Sequence, residues 1–520
     1  MEARDEETEY LDPLHRRPQL MISIQTHRLR DARTICLLAA LMLGVVLASS
    51  VSLAQTSCNC AALENQIETI RNDAGLPAMG YALYVGDSVV LTGSVGMADI
   101  NDNITADANT PYMLASLSKT YITAALLKLI ESGALSLDDP VNDHLPWTLD
   151  NPRVSGEVIR VSHLVTHTSG LRDANIFGSP GSGDLYSYGD TSITLAEFME
   201  GYFVPGGQWY NSVANFRNRM PGDQYEYSNF AAALAGYLVE TITGTKLRDH
   251  SVGNLFGPLG MTNTGWHLAD FSDVSLIAMP YSGNNTEIGH YSYPDYPDGQ
   301  LRSSPADLGT YMAVMLGGGE TSGVRVLEPE SVDLAFDDVL NNHGGQGVFW
   351  YRYDGWAERD ACHSGGDYGV LSDMCLLLES RVGVAVVVNQ DSFAAEDALY
   401  EVLDLLVAKG LELPTAEFST AQTSGNAPFD AEFTDLSTNG PTSWLWTFGD
   451  GGSSTLQDPN YQYTTEGDYT VTLTSTNGAG SDSETKVDHI HISVPEPALL
   501  TQLLSGVFGL FALNASRKRG

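Results

Sequence analysis

Hydrolysis without a metal needs a side-chain nucleophile and a base that can take its proton, and a Ser followed three residues later by a Lys supplies both. The 520-residue chain holds this spacing twice, at Ser116-Leu117-Ser118-Lys119 and at Ser483-Glu484-Thr485-Lys486. With only six Lys in the chain one match is expected by chance, so context must separate the two. Ser116 opens an amphipathic helical pattern, where an offset of three sets both side chains on one face. The start of a helix also offers unpaired N–H groups and the positive end of the dipole, which favour an oxyanion and a lowered Lys pKa. Ser483 lies in a polar, strand-like stretch. Two weaker signals accompany the first pair. Tyr227-Ser228-Asn229 is the only Tyr-x-Asn among 24 Tyr; its phenol can pass a proton to a leaving group, and its amide can hold Lys119 and a substrate carbonyl. His363-Ser364-Gly365-Gly366 has small residues that let a substrate lie along a strand edge, and the Gly366 N–H can join that of Ser116 in an oxyanion hole.

Other candidates carry less. His163 and His167 have a zinc-compatible spacing, but no Glu follows His163 as the metalloprotease motif requires, so His167 reads as structural and no metal is expected. Asp450 among its glycines reads as a turn, and His489 and His491 as exposed strand positions. No phosphate loop, haem site or dinucleotide fingerprint is present, so no cofactor is called for.

The elements that must position these residues follow from periodicity. Residues 80–85 and 88–93 read as two strands joined by a Gly86-Asp87 turn. Residues 116–132 read as a helix with Ile122, Leu126, Leu129 and Ile130 on one stripe, and residues 230–242 as another, closed by Gly244. Residues 382–389 make a short apolar strand and 394–408 a closing helix. Strands at both ends with helices between predict an α+β domain, one antiparallel sheet built from distant segments plus a helical lobe. Cys362 and Cys375 flank a strand, turn and strand and are expected to pair; Cys58 and Cys60 are too close in sequence to pair comfortably and have no other obvious partner.

Together and in this order, the motifs resemble the class C β-lactamase and penicillin-binding serine hydrolase family, which includes D-Ala-D-Ala carboxypeptidases, D-aminopeptidases and esterases. The supporting blocks are Ala115-Ser116-Leu117-Ser118-Lys119-Thr120, Leu137-Asp138-Asp139-Pro140-Val141, Leu164-Val165-Thr166-His167-Thr168-Ser169-Gly170-Leu171, Tyr227-Ser228-Asn229, Pro258-Leu259-Gly260-Met261 and Ser304-Pro305-Ala306-Asp307-Leu308. The resemblance implies that Ser116 is acylated, that Lys119 and Tyr227 share the acid and base work, and that Asn229 orients substrate. It places His363, Ser364 and Gly365 where β-lactamases of this family carry Lys-Thr-Gly. A neutral His holds a substrate carboxylate less well than an ammonium, so weight shifts from β-lactams to esters, amides and peptides.

After Pro414 the signals are all β. Tyr469, Val471 and Leu473 alternate with Thr470, Thr472 and Thr474, as in an immunoglobulin-like sandwich. Trp446-Thr447-Phe448-Gly449-Asp450-Gly451, then Gly467-Asp468-Tyr469-Thr470-Val471, then Asn477-Gly478-Ala479-Gly480 resemble a PKD domain, which implies a spacer or binding module. The expected organisation is a leader and signal peptide over 1–54, the hydrolase-like domain over 55–413, the PKD-like domain over 414–493 and a sorting segment over 494–520. In the leader, Arg28, Arg30 and Arg33 precede an apolar run and a small-x-small cleavage site before Gln55. At the other end Pro495-Glu496-Pro497, the eighteen uncharged residues 498–515 and the basic Arg517-Lys518-Arg519 resemble a PEP-CTERM signal. That resemblance implies processing by an exosortase, and membrane association only through the two ends. The address is then the periplasm, cell surface or extracellular matrix of a Gram-negative bacterium.

The charge agrees with export into an open medium and excludes one class of partner. The chain carries 65 Asp and Glu against 26 Lys and Arg, a net −39, of which −30 falls on residues 55–413 and −10 on 414–493. A nucleic acid would need a basic face, so none is expected. The expectation is therefore an exported serine hydrolase acting on a small acyl ester, amide or peptide. The opposing reading is an inactive surface protein whose PKD-like module contacts matrix or glycan; the intact Ser116, Lys119, Tyr227 and Asn229 set argues against it.

Overall fold

The computed structural model describes residues 57–58, 60–180, 185–340, 346–353, 355–356, 358–477 and 480–494. The expected leader and the sorting segment after Val494 lie outside them. Among the described residues no helix is long and apolar enough to cross a membrane.

The larger sheet has six strands: β1 (Ala78–Val85), β2 (Ser88–Asp99), β3 (Ile104–Thr105), β4 (Asp360–Asp367), β5 (Val370–Leu377) and β6 (Val382–Val388). Their order is β4-β5-β6-β1-β2-β3 and every neighbouring pair is antiparallel, so the two ends of the domain meet at β6 and β1. β6 carries no polar side chain and is buried along its length, as a strand covered on both faces must be.

The helices that matter here are α1 (Ala61–Asp73), α2 (Lys119–Glu131), α3 (Asn229–Thr243), α4 (Pro305–Leu316) and α5 (Phe393–Glu412). Glycines set how closely two of them approach the sheet. A Cβ on Gly410 of α5 would fall 2.5 Å from Val382 Cγ1, and one on Gly383 of β6 would fall 3.0 Å from Leu316 Cδ1 of α4. Leu63 and Ile67 of α1 complete the core under α5 with Leu399, Val402 and Leu406. The expected α+β architecture is therefore present.

One expectation about α2 needs correction. It is not amphipathic with a single apolar stripe, because residues 119–127 are all buried, Lys119 included. The helix runs through the middle of the helical lobe, packed on α3 and on the Pro329–Phe336 helix, so every face meets protein. From residue 110 to residue 127 only Ser116 is not buried.

Residues after 414 form two sheets. Ser443–Thr447, Ser453–Ser454, Gly467–Thr476 and Gly480–Ser493 lie in one, and Phe418–Thr420, Phe429–Asp435 and Asn460–Tyr463 in the other. Trp446, Phe448, Tyr463, Val471 and Leu473 belong to their common core. The second Ser-x-x-Lys is structural: the Ser483 and Thr474 hydroxyls share a hydrogen bond of 2.8 Å, and Lys486 pairs with Glu417.

Cys362 and Cys375 face each other across β4 and β5 and are bonded. Cys60, left without a partner by its spacing, is also disulfide-bonded. The Cys362–Cys375 bridge closes a separation of 13 residues. A closed loop of that size restricts the unfolded chain by about 3 kcal/mol. Replacing both Cys by Ser should lower the unfolding free energy by about 2–3 kcal/mol in a urea titration; an unchanged midpoint and slope would show that the hairpin needs no bridge.

Candidate active site

Ser116 sits where a strained turn feeds a buried helix. Ala115 has φ 47°, in the left-handed region that non-glycine residues rarely adopt. It is held there by bonds on both sides: Leu114 N–H donates to Leu301 O at 2.8 Å, and the Leu301 N–H donates to Ser118 Oγ at 3.0 Å. A short 3-10 turn, Ala115–Ser118, then leads into α2. The outcome is a half-exposed Ser116 hydroxyl above an otherwise buried segment.

Lys119 lies beneath it with no exposed surface. Its Nζ is 3.0 Å from Ser116 Oγ, 2.8 Å from Asn229 Oδ1 and 2.5 Å from Asp298 O. Burial pulls its pKa down to about 8, against the opposing pull of nearby carboxylates, Asp298 first. The three contacts suit both protonation states. An ammonium donates to all three; a neutral amine gives its two remaining hydrogens to the fixed acceptors Asn229 Oδ1 and Asp298 O and turns its lone pair to the Ser116 hydroxyl. That second arrangement points a basic lone pair at a hydroxyl, the geometry that nucleophilic catalysis requires.

Tyr227 precedes α3, and its ring centroid is 5.0 Å from Lys119 Nζ. Two residues from another segment hold it there. Asp173 caps the helix: one carboxylate oxygen accepts from the Ser228 hydroxyl (2.7 Å) and the Phe230 N–H (3.1 Å), the other from the Asn229 N–H (2.7 Å). A carboxylate at a helix N-terminus meets both the orphan N–H groups and the dipole. His167 accepts the Ser228 N–H on Nδ1 at 3.2 Å and stacks on Tyr227 with centroids 4.4 Å apart. Its carbonyl accepts from Glu226 N–H (2.7 Å), and the next carbonyl, Thr168 O, from Gly222 N–H (2.8 Å). Burial holds the imidazole pKa well below its ordinary value, which keeps Nδ1 an acceptor. His167 thus clamps the loop bearing Tyr227. His163 accepts the Arg160 N–H at 3.1 Å and caps its own short helix, and no cluster of metal-ligating side chains occurs among the described residues.

The third component is the edge of β4. Cys362 exchanges both backbone hydrogen bonds with Tyr351 on the outer side of the strand. By the alternation of an antiparallel ladder, Ser364 and Gly366 point their N–H and C=O groups to that same outer side. Gly366 is exposed, so its N–H is on the open edge. Gly365 sets the approach: a Cβ there would lie 2.2 Å from Leu114 O, 2.5 Å from Ser372 Oγ and 2.9 Å from Ser116 N. His363 is 2% exposed and donates through Nδ1 to Ser364 O at 2.7 Å. Its Nε2 is therefore the unprotonated nitrogen, and burial, aided by the Lys119 charge, pushes the pKa down to about 3. His363 is a neutral group under the cleft, and the Ser364 side chain is half-buried on the opposite face of the strand.

The structure thus gathers Ser116, Lys119, Tyr227, Asn229, His363 and Gly365 from three separate stretches. Asp173, His167 and Asp298 join them, although no motif marks these three as site residues. Asp173 and His167 flank the Ser169-Gly170 block, which is a signal once its partner loop is known. Asp298 acts through a backbone carbonyl, which side-chain identity does not reveal.

An antiparallel sheet joined to a helical lobe, with a Ser-Lys pair and a Tyr where they meet, defines the β-lactamase and penicillin-binding class of fold. Residues 63–409 match the beta-lactamase family, and the chain belongs to it; residues 412–492 match the PKD domain. Protein Rv1367c of Mycobacterium tuberculosis is 26% identical over 293 residues, 52% of this chain and 70% of that protein. A putative D-alanyl-D-alanine carboxypeptidase of Escherichia coli K12 is 26% identical over 298 residues, 50% of this chain and 65% of that one. The D-amino acid amidase of Ochrobactrum anthropi SV3, solved with D-phenylalanine, superposes with a TM-score of 0.54 at 21% identity, over 66% of this chain and 98% of its own. At that identity the superposition speaks for the fold alone.

Gly365→Ala should cost activity more than stability, because the added methyl meets backbone on the Ser116 side of the strand. Turnover of an activated ester is expected to fall at least about 100-fold, the scale of one lost oxyanion donor, with a stability loss of about 1–3 kcal/mol from overpacking. Parallel ester kinetics and thermal melts check this.

Proposed function

We propose that the chain is an exported serine hydrolase that forms an acyl-enzyme on Ser116. One observation carries the reading: a wholly buried Lys119 whose other two contacts are fixed acceptors, so that its neutral form faces the one accessible hydroxyl of its segment. Lys119 Nζ takes the Ser116 proton as Oγ bonds to the substrate carbonyl carbon. The oxygen of that carbonyl gathers charge against the N–H groups of Ser116 and Gly366. The bond to the leaving alcohol or amine then breaks as Tyr227 gives it a proton; Lys119 passes the proton taken from Ser116 to the Tyr227 phenolate, which restores both groups, and water releases the acid by the same path.

Esters and amides, including D-Ala-D-Ala-type peptides, are the substrate classes this reading favours. The carboxypeptidase and amidase among the similar proteins support it, and the neutral, buried His363 argues for weak β-lactamase activity or none. Disulfides at Cys60 and Cys362–Cys375 support an oxidising compartment. In this reading residues 1–54 direct export, and the PEP-CTERM-like end is an exosortase substrate that anchors the chain for a time.

A fluorophosphonate or penicillin probe should label the protein and not Ser116→Ala; absent labelling, or labelling unchanged in Ser116→Ala, would refute the enzyme. A panel of short acyl esters, D-Ala-D-Ala peptides and a cephalosporin then ranks the substrates, with the cephalosporin expected last.

The pH profile tests Lys119. Because its pKa is lowered to about 8, the base form grows as pH rises through that value, so kcat/KM on a neutral ester should climb from about pH 7 to about pH 9, roughly one unit on either side. Asp298→Asn removes the carboxylate that most opposes the shift and should move the midpoint to lower pH. A flat profile, or a midpoint that moves up in Asp298→Asn, would reject Lys119 as the base.

A further inference from the structure

The β-lactamase-family domain meets the PKD domain at the tip of a hairpin. β1 and β2 turn at Gly86 and Asp87, and a Cβ on Gly86 would lie 2.9 Å from Asp482 Oδ2 of the strand Gly480–Ser493. Asp482 is 1% exposed and accepts the Ala416 N–H on that same oxygen at 2.7 Å, so one carboxylate ties the linker to the strand and abuts the turn. Two amides of the PKD domain hold the end of α5: Asn477 Nδ2 donates to Glu412 O and Asn439 Nδ2 to Leu413 O, both at 2.8 Å. The backbone of Ser57–Cys58, from the start of the first domain, pairs with Ser481 and Gly480. The linker is no loose tether, and the two domains pack into one compact unit.

One contact in this junction sets acid against acid. Glu484, two residues beyond Asp482 and turned to the same face, hydrogen-bonds the Asp87 carboxyl across the junction. Such a bond needs a proton on one of the two carboxyls. Arg381 pairs with Asp87 at 2.5 Å, so the proton belongs to Glu484. The other charges do not relieve Glu484. Glu417 of the linker adds a second like charge, and Lys486, the one base among residues 414–493, is spent on Glu417 Oε1 (2.7 Å) and Phe418 O (2.6 Å). From β1, Tyr84 is within electrostatic reach of Asp87, Asp482 and Arg381. Desolvation first, then the Asp87 and Glu417 charges, push the half-buried Glu484 up to about 7.

We propose that Asp87 and Glu484 form a proton-held latch between the two domains: one shared proton docks the PKD domain on the hairpin, and its loss loosens the junction. Once Glu484 ionises, two carboxylates meet with Arg381 and Lys486 already engaged. Undocked, Glu484 faces water and titrates in the ordinary carboxyl range; docked, it titrates at about 7. Docking is therefore strongest below the ordinary range and weakens as pH rises through the docked value. The PKD domain is a fixed extension of its neighbour in mild acid and a looser one in mild alkali. The latch does not depend on the hydrolase reading.

Hydrogen exchange in the full chain reads the junction, because the Ala416 N–H exchanges when its bond to Asp482 opens. From about pH 5.5 to about pH 8.5 its protection factor, corrected for the intrinsic pH dependence of exchange, should fall about ten-fold, a figure reduced for the partial exposure of Glu484. Amides of β6, buried in the first domain, are the reference. Glu484→Gln keeps a donor to Asp87 without titrating and should hold the Ala416 protection level to within about two-fold. Asp87→Asn, made in the other domain, removes the like charge and should cut the fall to about three-fold or less. Wild-type protection that does not change with pH, an equal fall at β6, or the full fall persisting in either variant overturns the latch. Because the two variants lie in different domains, misfolding of one leaves the other to decide.

Discussion

Everything in the site depends on taking one ammonium out of water. A Lys in solution is a poor base at neutral pH because water stabilises its charged form. Lys119 has lost that water: it is buried, and the core that surrounds α2 on every side is the reason. The helical lobe thus sets the protonation state of the amine. Its apolar packing brings the amine toward neutrality, while Asn229 and the Asp298 carbonyl decide which way the lone pair points. Desolvation alone would leave a neutral amine with no direction, and the two acceptors alone would leave it charged.

The same logic of fixed partners extends outward. Tyr227 lies at the end of a loop, and a loop by itself holds a ring poorly. Here Asp173 caps the helix that follows the loop, and His167 grips it by a stack, a side-chain acceptor and a backbone carbonyl. On the opposite wall the sheet contributes no reactive side chain at Gly365 and Gly366, only backbone brought close. That closeness exists because Gly365 has no Cβ to strike Leu114 O and Ser116 N.

Charge is distributed in a way that suits this arrangement. Most of the excess acid is on the domain surface, yet several carboxyls lie around Lys119, and burial pushes Asp173, Asp295 and Asp367 upward and Asp298 up to about 7. These groups temper the fall of the Lys119 pKa and keep it near physiological pH. The β domain buries no Lys among its described residues: its Ser-x-x-Lys is spent on a cross-strand hydroxyl pair and a surface ion pair.

The chain by itself determined the local chemistry and the class of fold. Ser116 and Lys119 at an offset of three, the Tyr-x-Asn before an apolar helix, the alternating strands and the paired Cys all follow from periods of 3.6 and 2 along the backbone, which are local. Even there, local pattern misled on α2, whose polar positions looked solvent-facing until its neighbours were placed around it. Local pattern marks His167 only as structural and does not mark Asp298, because what they do depends on segments 61 and 179 residues away. The depth of Lys119, the grip on Tyr227, the contact at Gly365 and the meeting of Asp87 with Glu484 were decided only by the tertiary structure. Desolvation and charge act through space, and no spacing along a sequence measures the distance between two segments once the chain has folded.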